Sequence, residues 1–455
     1  MQLIVQLILI YLCLLLFKVK RDTKLAILLL VAICFNSVTI PYIPFGTGKY
    51  IICTCFILSE LPHIISHFKS IKHTILKSLL FSIIAATIIL AINSPHYNNL
   101  MQYIRLFMME LITKYFVIAY AFLSLTNENS LQKVIKISSY GLIILTGFAI
   151  LNYITKQSIF INEILSGINV TDVMENAGNK YTYEDRFRVQ AMFASPFDYG
   201  YICIILFLLN WYGYSKSLIN KRQFYINIVC CIFGIITCGC RTNILCAIIG
   251  ALTYTLFAFK TSKKLKYIVI GLLLGAIGIS TSPLLQSKIT EMLTIFDTNN
   301  TNISGSSIEL RLAQYAAVLF HIKNHELFGR GLDYFNIDMG WGEGREFLVD
   351  EDLAGLEGVL MNHLLERGII GVIFYLLFYI SLLVFAYRKR SLDKTTTALT
   401  IAVLIVYLTF SNMTGELSSV FPTLLIIGCC LKLIYRKSYL KQNHEIQCHN
   451  TSLQS

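Results

Sequence analysis

"LEGVLMNHLLERGIIGVIFYLL", residues 356–377, decides how the chain is read. Its second half is an unbroken apolar run, yet Glu357, Asn362, His363, Glu366 and Arg367 crowd its first turns. A charge at the centre of a bilayer costs roughly 2.5 to 3.5 kcal/mol on insertion scales. The stretch therefore predicts a helix entering a membrane beneath a polar cluster that needs a reason to be there.

The rest of the chain agrees with a membrane setting. Of 455 residues 55% are hydrophobic and 14% charged, too apolar for a soluble protein of this length. Apolar runs of about 17 to 25 residues recur between short basic segments, as spanning helices require. The first, "LIVQLILIYLCLLLF" (3–17), has no basic region before it or small-residue cleavage site after it, and reads as a retained helix.

The formal charge of +12 is explained by placement. Basic loops occur at 18–24, 69–77, 132–136, 216–222, 260–266, 387–394 and 435–441, every second connection along the chain, so the charge reads as orientation rather than as a nucleic-acid surface. With these loops in the cytoplasm the expected fold is all-α, with about 13 transmembrane helices, the N-terminus outside and the C-terminus inside. Most of the 13 cysteines fall inside apolar spans and read as small buried hydrophobes, Cys238 and Cys240 of "CGCRT" included.

Two outside loops break the rhythm, 156–197 and 282–362; loops this long are functional or disordered. They divide the chain into N-terminal helices (1–138), a central membrane region carrying both loops (139–386), and C-terminal helices with a tail (387–455). Within the second loop, "SSIELRLAQYAAVLFHIK" opens with Ser306 and Glu309 at capping-box spacing. Leu310, Ala313, Ala317 and Phe320 follow at helical intervals, predicting an amphipathic helix ended by Asn324, Gly329 and Gly331. Elsewhere "YIRLFMMELITKYF" (103–116) carries Arg105, Glu110 and Lys114 within a span; Glu110 and Lys114, four apart, share a helix face and are expected to pair.

Several chemistries lack their residues. There is no Gly-rich phosphate loop with its Lys and Ser/Thr. His321 and His325 stand at i and i+4 but without an intervening Glu or a nearby third ligand, so no metal site is assigned. The acidic run 350–352 reads as a solvated turn. What the outside face does hold is arginine: Arg188 in "RVQAMFASPF", Arg241 in "CRTNIL", Arg311 in "ELRLAQ" and Arg330 in "GRG". A guanidinium never deprotonates and its fork matches phosphate oxygens in pairs, so converging arginines can hold a diphosphate without metal.

The order "RVQAMFASP", "CRTNIL", "RLAQYAAVLF…ELFGRGLDYF" and "EGVLMNHLLERGIIG" resembles the O-antigen polymerase and O-antigen ligase superfamily across residues 139–386. The resemblance implies a multi-span enzyme of the bacterial inner membrane, needing no cofactor, that acts on undecaprenyl-diphosphate-linked oligosaccharides at the outer face. Membrane lipids and a chain-length regulator protein are its implied partners. It makes Arg188, Arg241 and Arg311 diphosphate ligands, with Arg330 beside them. It also sets Glu357 eleven residues before Gly368, where ligase-type members carry histidine and polymerases often an acid. Ala191 stands where a glycine is usual, and Phe197 where an asparagine often follows Pro196.

Glu357 is thus the expected general base, a half-shielded carboxylate above an entering helix. His363 is the rival, expected to face roughly 240° away from it around one continuous helix. The function expected is a repeat-unit polymerase for O-antigen or capsule, with O-antigen ligase and lipid-linked sugar flippase or transporter as alternatives.

Overall fold

The structure is a computed structural model. It describes residues 2–38, 48–67, 110–125, 127–164, 186–260, 308–332, 356–415 and 420–452, with scattered residues between these runs. Arg105, Ser306, the acidic run 350–352, residues 165–181 of the first long loop and more than half of the second lie outside the described residues.

The architecture is all-helical. Twelve helices are described: α1 (Gln2–Lys18), α2 (Arg21–Cys34), α3 (Gly48–His67), α4 (Phe116–Ser124), α5 (Glu128–Thr155), α6 (Pro196–Ser215), α7 (Lys221–Thr237), α8 (Arg241–Ala258), α9 (Ile308–His321), α10 (Val359–Arg388), α11 (Lys394–Thr414) and α12 (Val420–Ser452). A wide π turn, Leu111–Tyr115, leads into α4, and two-residue strands Thr182–Tyr183 and Arg186–Phe187 pair antiparallel. Among the described residues α5, α8, α10 and α11 are long and apolar enough to cross a membrane.

Burial separates the inner helices from those that meet lipid. In α6, Tyr199, Tyr201, Ile202, Ile205, Leu208, Leu209 and Tyr212 are fully enclosed, and α11 and the apolar half of α12 are buried on nearly every side. By contrast α5 exposes Ile143, Ile144, Ile150 and Ile154, α8 exposes Ile248, Leu252 and Leu256, and α10 exposes Ile369, Ile373, Leu377 and Ile380. Each set recurs at helical spacing, the stripe a lipid-facing helix needs. Buried polar pairs bind the inner helices together: Tyr201 Oη with Thr423 Oγ1 at 2.9 Å, Tyr212 Oη with Thr396 Oγ1 at 3.2 Å, and Asn227 Nδ2 donating to Asn210 Oδ1 at 2.7 Å.

The basic loops gather at one end. Asn127, Asn220 and Asp393 cap the helices that start there, accepting from the amides of Ser130, Gln223 and Thr396. Ser130 Oγ donates to Asp22, Lys133 Nζ lies 3.9 Å from Asp22, and Arg21 and Lys24 both reach Glu60. Asp393 takes Lys216 at 2.8 Å and Lys437, which also holds Glu128 at 3.0 Å. Burial alone would raise the Asp393 carboxyl, but the hydrogen bonds from Lys216 and Lys437 outweigh it and lower the group to about 2. Five of the basic loops therefore share one end of the bundle.

At the opposite end, α10 departs from the continuous helix expected over 356–377. Gly368 has φ 63° and ψ −168°, a conformation open essentially to glycine alone, and the helix breaks there. Two rungs of the helical ladder are lost, Ile369 N to Leu365 O and Ile370 N to Glu366 O, and residues 326–331 replace both. Leu365 O accepts from Arg330 N and Glu366 O from Gly331 N, each at 2.8 Å; Ile369 N donates to Glu326 O at 2.8 Å and Ile370 N to Leu327 O at 3.2 Å. These four groups thus keep partners rather than facing lipid, where each would cost several kcal/mol. The approach is close enough that a Cβ on Gly368 would overlap the Leu327 carbonyl, and one on Gly329 the amide of Arg367.

The two halves of α10 fold back on one another. Residues 363 and 375 would be about 18 Å apart along a straight helix, yet the His363 and Tyr375 rings are 4.5 Å apart. The entry to the first half, Gly358, packs near the Asn412 carbonyl, while Tyr375 and Tyr379 in the second half hydrogen-bond to Tyr407. Val359–Arg367 thus lies across the end of α11, and the second half, Ile369–Arg388, supplies about 30 Å of helix, the thickness of a hydrocarbon core.

Candidate functional site

Glu366 and Arg367 sit at the break in α10, above its spanning half. Arg367 is buried and donates Nη2 to Glu110 at 2.5 Å and Nη1 to Tyr115 Oη at 3.1 Å, with Glu366 at 3.9 Å. Lys114 completes the cluster, 3.3 Å from Glu110, the expected i, i+4 pair. Arg367 was the partner that local spacing did not disclose: it lies 257 residues away in the chain. These charges are mutually satisfied, as buried ions must be.

Glu357 and Arg311, expected as base and diphosphate ligand, form a pair. Arg311 Nη2 donates to Glu357 Oε2 at 2.6 Å and to the Met413 carbonyl at 3.1 Å, and both side chains stay partly open to solvent, 29% and 26% exposed. Glu357 precedes α10, and its main-chain N–H donates to Gln314 Oε1 at 3.3 Å. The α9 helix supplies both groups: Arg311 and Gln314, three apart, share a face. Gln314, 1% exposed, was overlooked as a positioning residue, though its spacing from Arg311 was a usable signal.

The helix predicted around Arg311 is present, and Asn324, Gly329 and Gly331 follow it with positive φ, as expected. Its buried face differs from the expected one. Gln314, Ala317, Val318 and His321 are buried, whereas Phe320 is 73% exposed. Burial follows i, i+3, i+4 and i+7 from Gln314: Ala317 and Val318 pack with Ile322, Leu353 and Leu365, and Gln314 meets the Glu357 amide on the same face. Arg330 stands on the loop that mends α10, its guanidinium 5.4 Å from the Tyr334 ring centroid.

His363 is not on a continuous helix with Glu357, so the expected 240° separation does not apply: Gly358, at φ 100°, turns the chain between them. His363 is 3% exposed and packed on Tyr375, and its Nδ1 has no hydrogen-bond partner among the described residues.

Arg188 and Arg241 lie together at the turn joining α7 to α8. Val189 N donates to Thr237 O at 3.1 Å, tying the segment after the short strand Arg186–Phe187 to that turn. Arg241 opens α8, where Asn243 Nδ2 reaches the Phe197 carbonyl at 3.3 Å. Ala191, in place of the usual glycine, is buried at φ 49°, a left-handed conformation that costs a side chain roughly 1 to 2 kcal/mol. Its carbonyl accepts from Asn152 Nδ2 at 3.2 Å, which holds the strained turn in place. Asn243 meets Phe197 at the start of α6, whose other end carries Lys216 on Asp393 at the start of α11, so the start of α8 and the end of α11 both lie away from the basic end. All four arginines and Glu357 are thus at the end opposite the basic loops, on three separate local frames.

Compared with known proteins, the chain matches no family model and no curated relative.

Proposed function

We propose that the protein is a membrane glycosyltransferase that polymerises oligosaccharide repeat units carried on a polyprenyl diphosphate. The observation that carries this reading is the Arg311–Glu357 pair, a guanidinium and a carboxylate oriented by Met413 O and Gln314 at the arginine-bearing end. On this reading the chain has about 13 spans, the basic end faces the cytoplasm, and the pair faces outward.

The diphosphate of the donor takes the fork of Arg311, helped by Arg188 and Arg241, and Glu357 is released. Its carboxylate then accepts the proton of the incoming sugar hydroxyl. The hydroxyl oxygen attacks the anomeric carbon as the carbon–oxygen bond to the diphosphate breaks. The arginines hold the departing anion, an electrostatic role that often supplies the largest catalytic contribution. A single displacement inverts the anomeric configuration.

Purified protein in liposomes with lipid-linked repeat units tests the reading. Longer lipid-linked chains are expected. Transfer to lipid A core instead would make it a ligase, and movement across the bilayer without covalent change a flippase. Reporter fusions after Lys266 and Lys394 should be cytoplasmic and one near Asn300 external; a cytoplasmic signal at Asn300 overturns the placement of the site.

A further inference from the structure

A cleft of about 320 Å³ opens between α5 and α7 at the basic end, far from the arginine pair. Lys136 and Arg222 stand at its rim, Ser139, Gln223 and Asn227 line its floor, and Ile143 and Ile226 continue its wall along the lipid-facing surface. The floor is built rather than incidental. Asn227 Nδ2 donates to Ser139 Oγ at 2.7 Å, Gln223 Nε2 donates to the same oxygen at 3.1 Å, and Ser139 passes its own proton to Ile135 O.

The charge at this cleft is unbalanced. Lys133, Lys216 and Lys437 at this end each meet a carboxylate, whereas Lys136 and Arg222 have no acidic partner among the described residues. The cleft thus offers two exposed cations beside the amino-terminal turn of α7, above an apolar wall. An anion with an acyl tail is complementary to both the charge and the wall.

We propose that this cleft binds the head of an anionic phospholipid, with the phosphate between Lys136 and Arg222 and the acyl chains along Ile143 and Ile226. The site is separate from the proposed active site and does not depend on that reading.

The test is titration of the full-length protein in neutral detergent with phosphatidylglycerol, read by native mass spectrometry and by thermal stability. Phosphatidylglycerol should bind and stabilise, while phosphatidylcholine and inorganic phosphate should not. Lys136→Gln with Arg222→Gln should weaken phosphatidylglycerol binding about thirtyfold, from roughly 1 kcal/mol for each of the two basic residues near the surface. Both residues are exposed, so lipid-free stability should stay at the parent value. A second pair, Ile143→Ser with Ile226→Ser, should weaken lipid binding while leaving the rim charges intact. Equal binding by the first double variant and the parent overturns the proposal. So does displacement of the lipid by millimolar phosphate, or equal stabilisation by phosphatidylcholine.

Discussion

Arg311 Nη2 lies 2.6 Å from Glu357 Oε2, so two groups assigned separate tasks by the proposed reaction hold each other in place. Arg311→Lys keeps the charge but loses the planar fork, of which Nη2 alone serves both Glu357 and the Met413 carbonyl. Chain elongation in the reconstituted assay should fall at least about tenfold. If lysine serves as well as arginine at Arg188, Arg241 and Arg311 alike, anion attraction suffices and the geometric role is withdrawn.

Glu357→Gln retains shape but accepts no proton, so the loss should fall on the chemical step, about a hundredfold to ten-thousandfold. Because an amide competes less for Arg311, the variant should hold lipid-linked substrate at least as tightly as the parent. His363→Ala, which alters a ring packed on Tyr375, should still form polymer. Normal chain length in the Gln variant together with loss in the His363 variant would transfer the base to His363.

The Glu110–Arg367 pair is buried on both sides, so removing one member strands the other. Glu110→Gln should lower stability by about 3 to 5 kcal/mol, and adding Arg367→Met should restore most of the loss. Thermal unfolding in detergent of the two single variants and the double variant gives the coupling. Additive effects would show that the ions do not depend on each other.

Gly368→Ala should prevent a stable fold, because the new Cβ meets the Leu327 carbonyl at a positive φ. Gly147→Ala is the contrast: its site in α5 is open, and the change should stabilise by about 0.5 to 1 kcal/mol. Yield and melting temperature of the two proteins check the pair, and equal behaviour would mean the α10 break is not needed.

Asp393 carries a pH signature. Its carboxyl is lowered to about 2 in the fold against an ordinary 3.8, so its contribution is present above about pH 4 and lost as pH falls towards 2. Asp393→Asn should therefore melt lower than the parent at pH 7, by on the order of 2 kcal/mol, with the gap closing as pH approaches 2. A gap that is constant with pH would assign the loss to the cap on Thr396 alone.

Apolar periodicity and the basic loops gave away the helical class and the shared basic end, because both are repeated local signals. The α9 helix and its glycine stop were legible for the same reason, and the Glu110–Lys114 pair followed from spacing four. The break in α10 was not legible: "ERGIIG" reads as helix, and only the arrival of residues 326–331 makes Gly368 a junction. The exposed Phe320 was misread because a single amphipathic pattern fits two registers, and the buried face is the one that meets Leu353 and Leu365, distant in sequence. Long-range partners such as Arg367 with Glu110 leave no mark in spacing.

Synthesis delivers residues 326–331 before residues 365–370 exist, and the mended helix exploits that order. When Ile369 and Ile370 emerge, their replacement acceptors Glu326 and Leu327 are already made, so the broken span never has to wait in lipid with open main-chain groups. If residues 326–331 were supplied only after the break had formed, Ile369 and Ile370 would enter lipid with open main-chain groups, at several kcal/mol each.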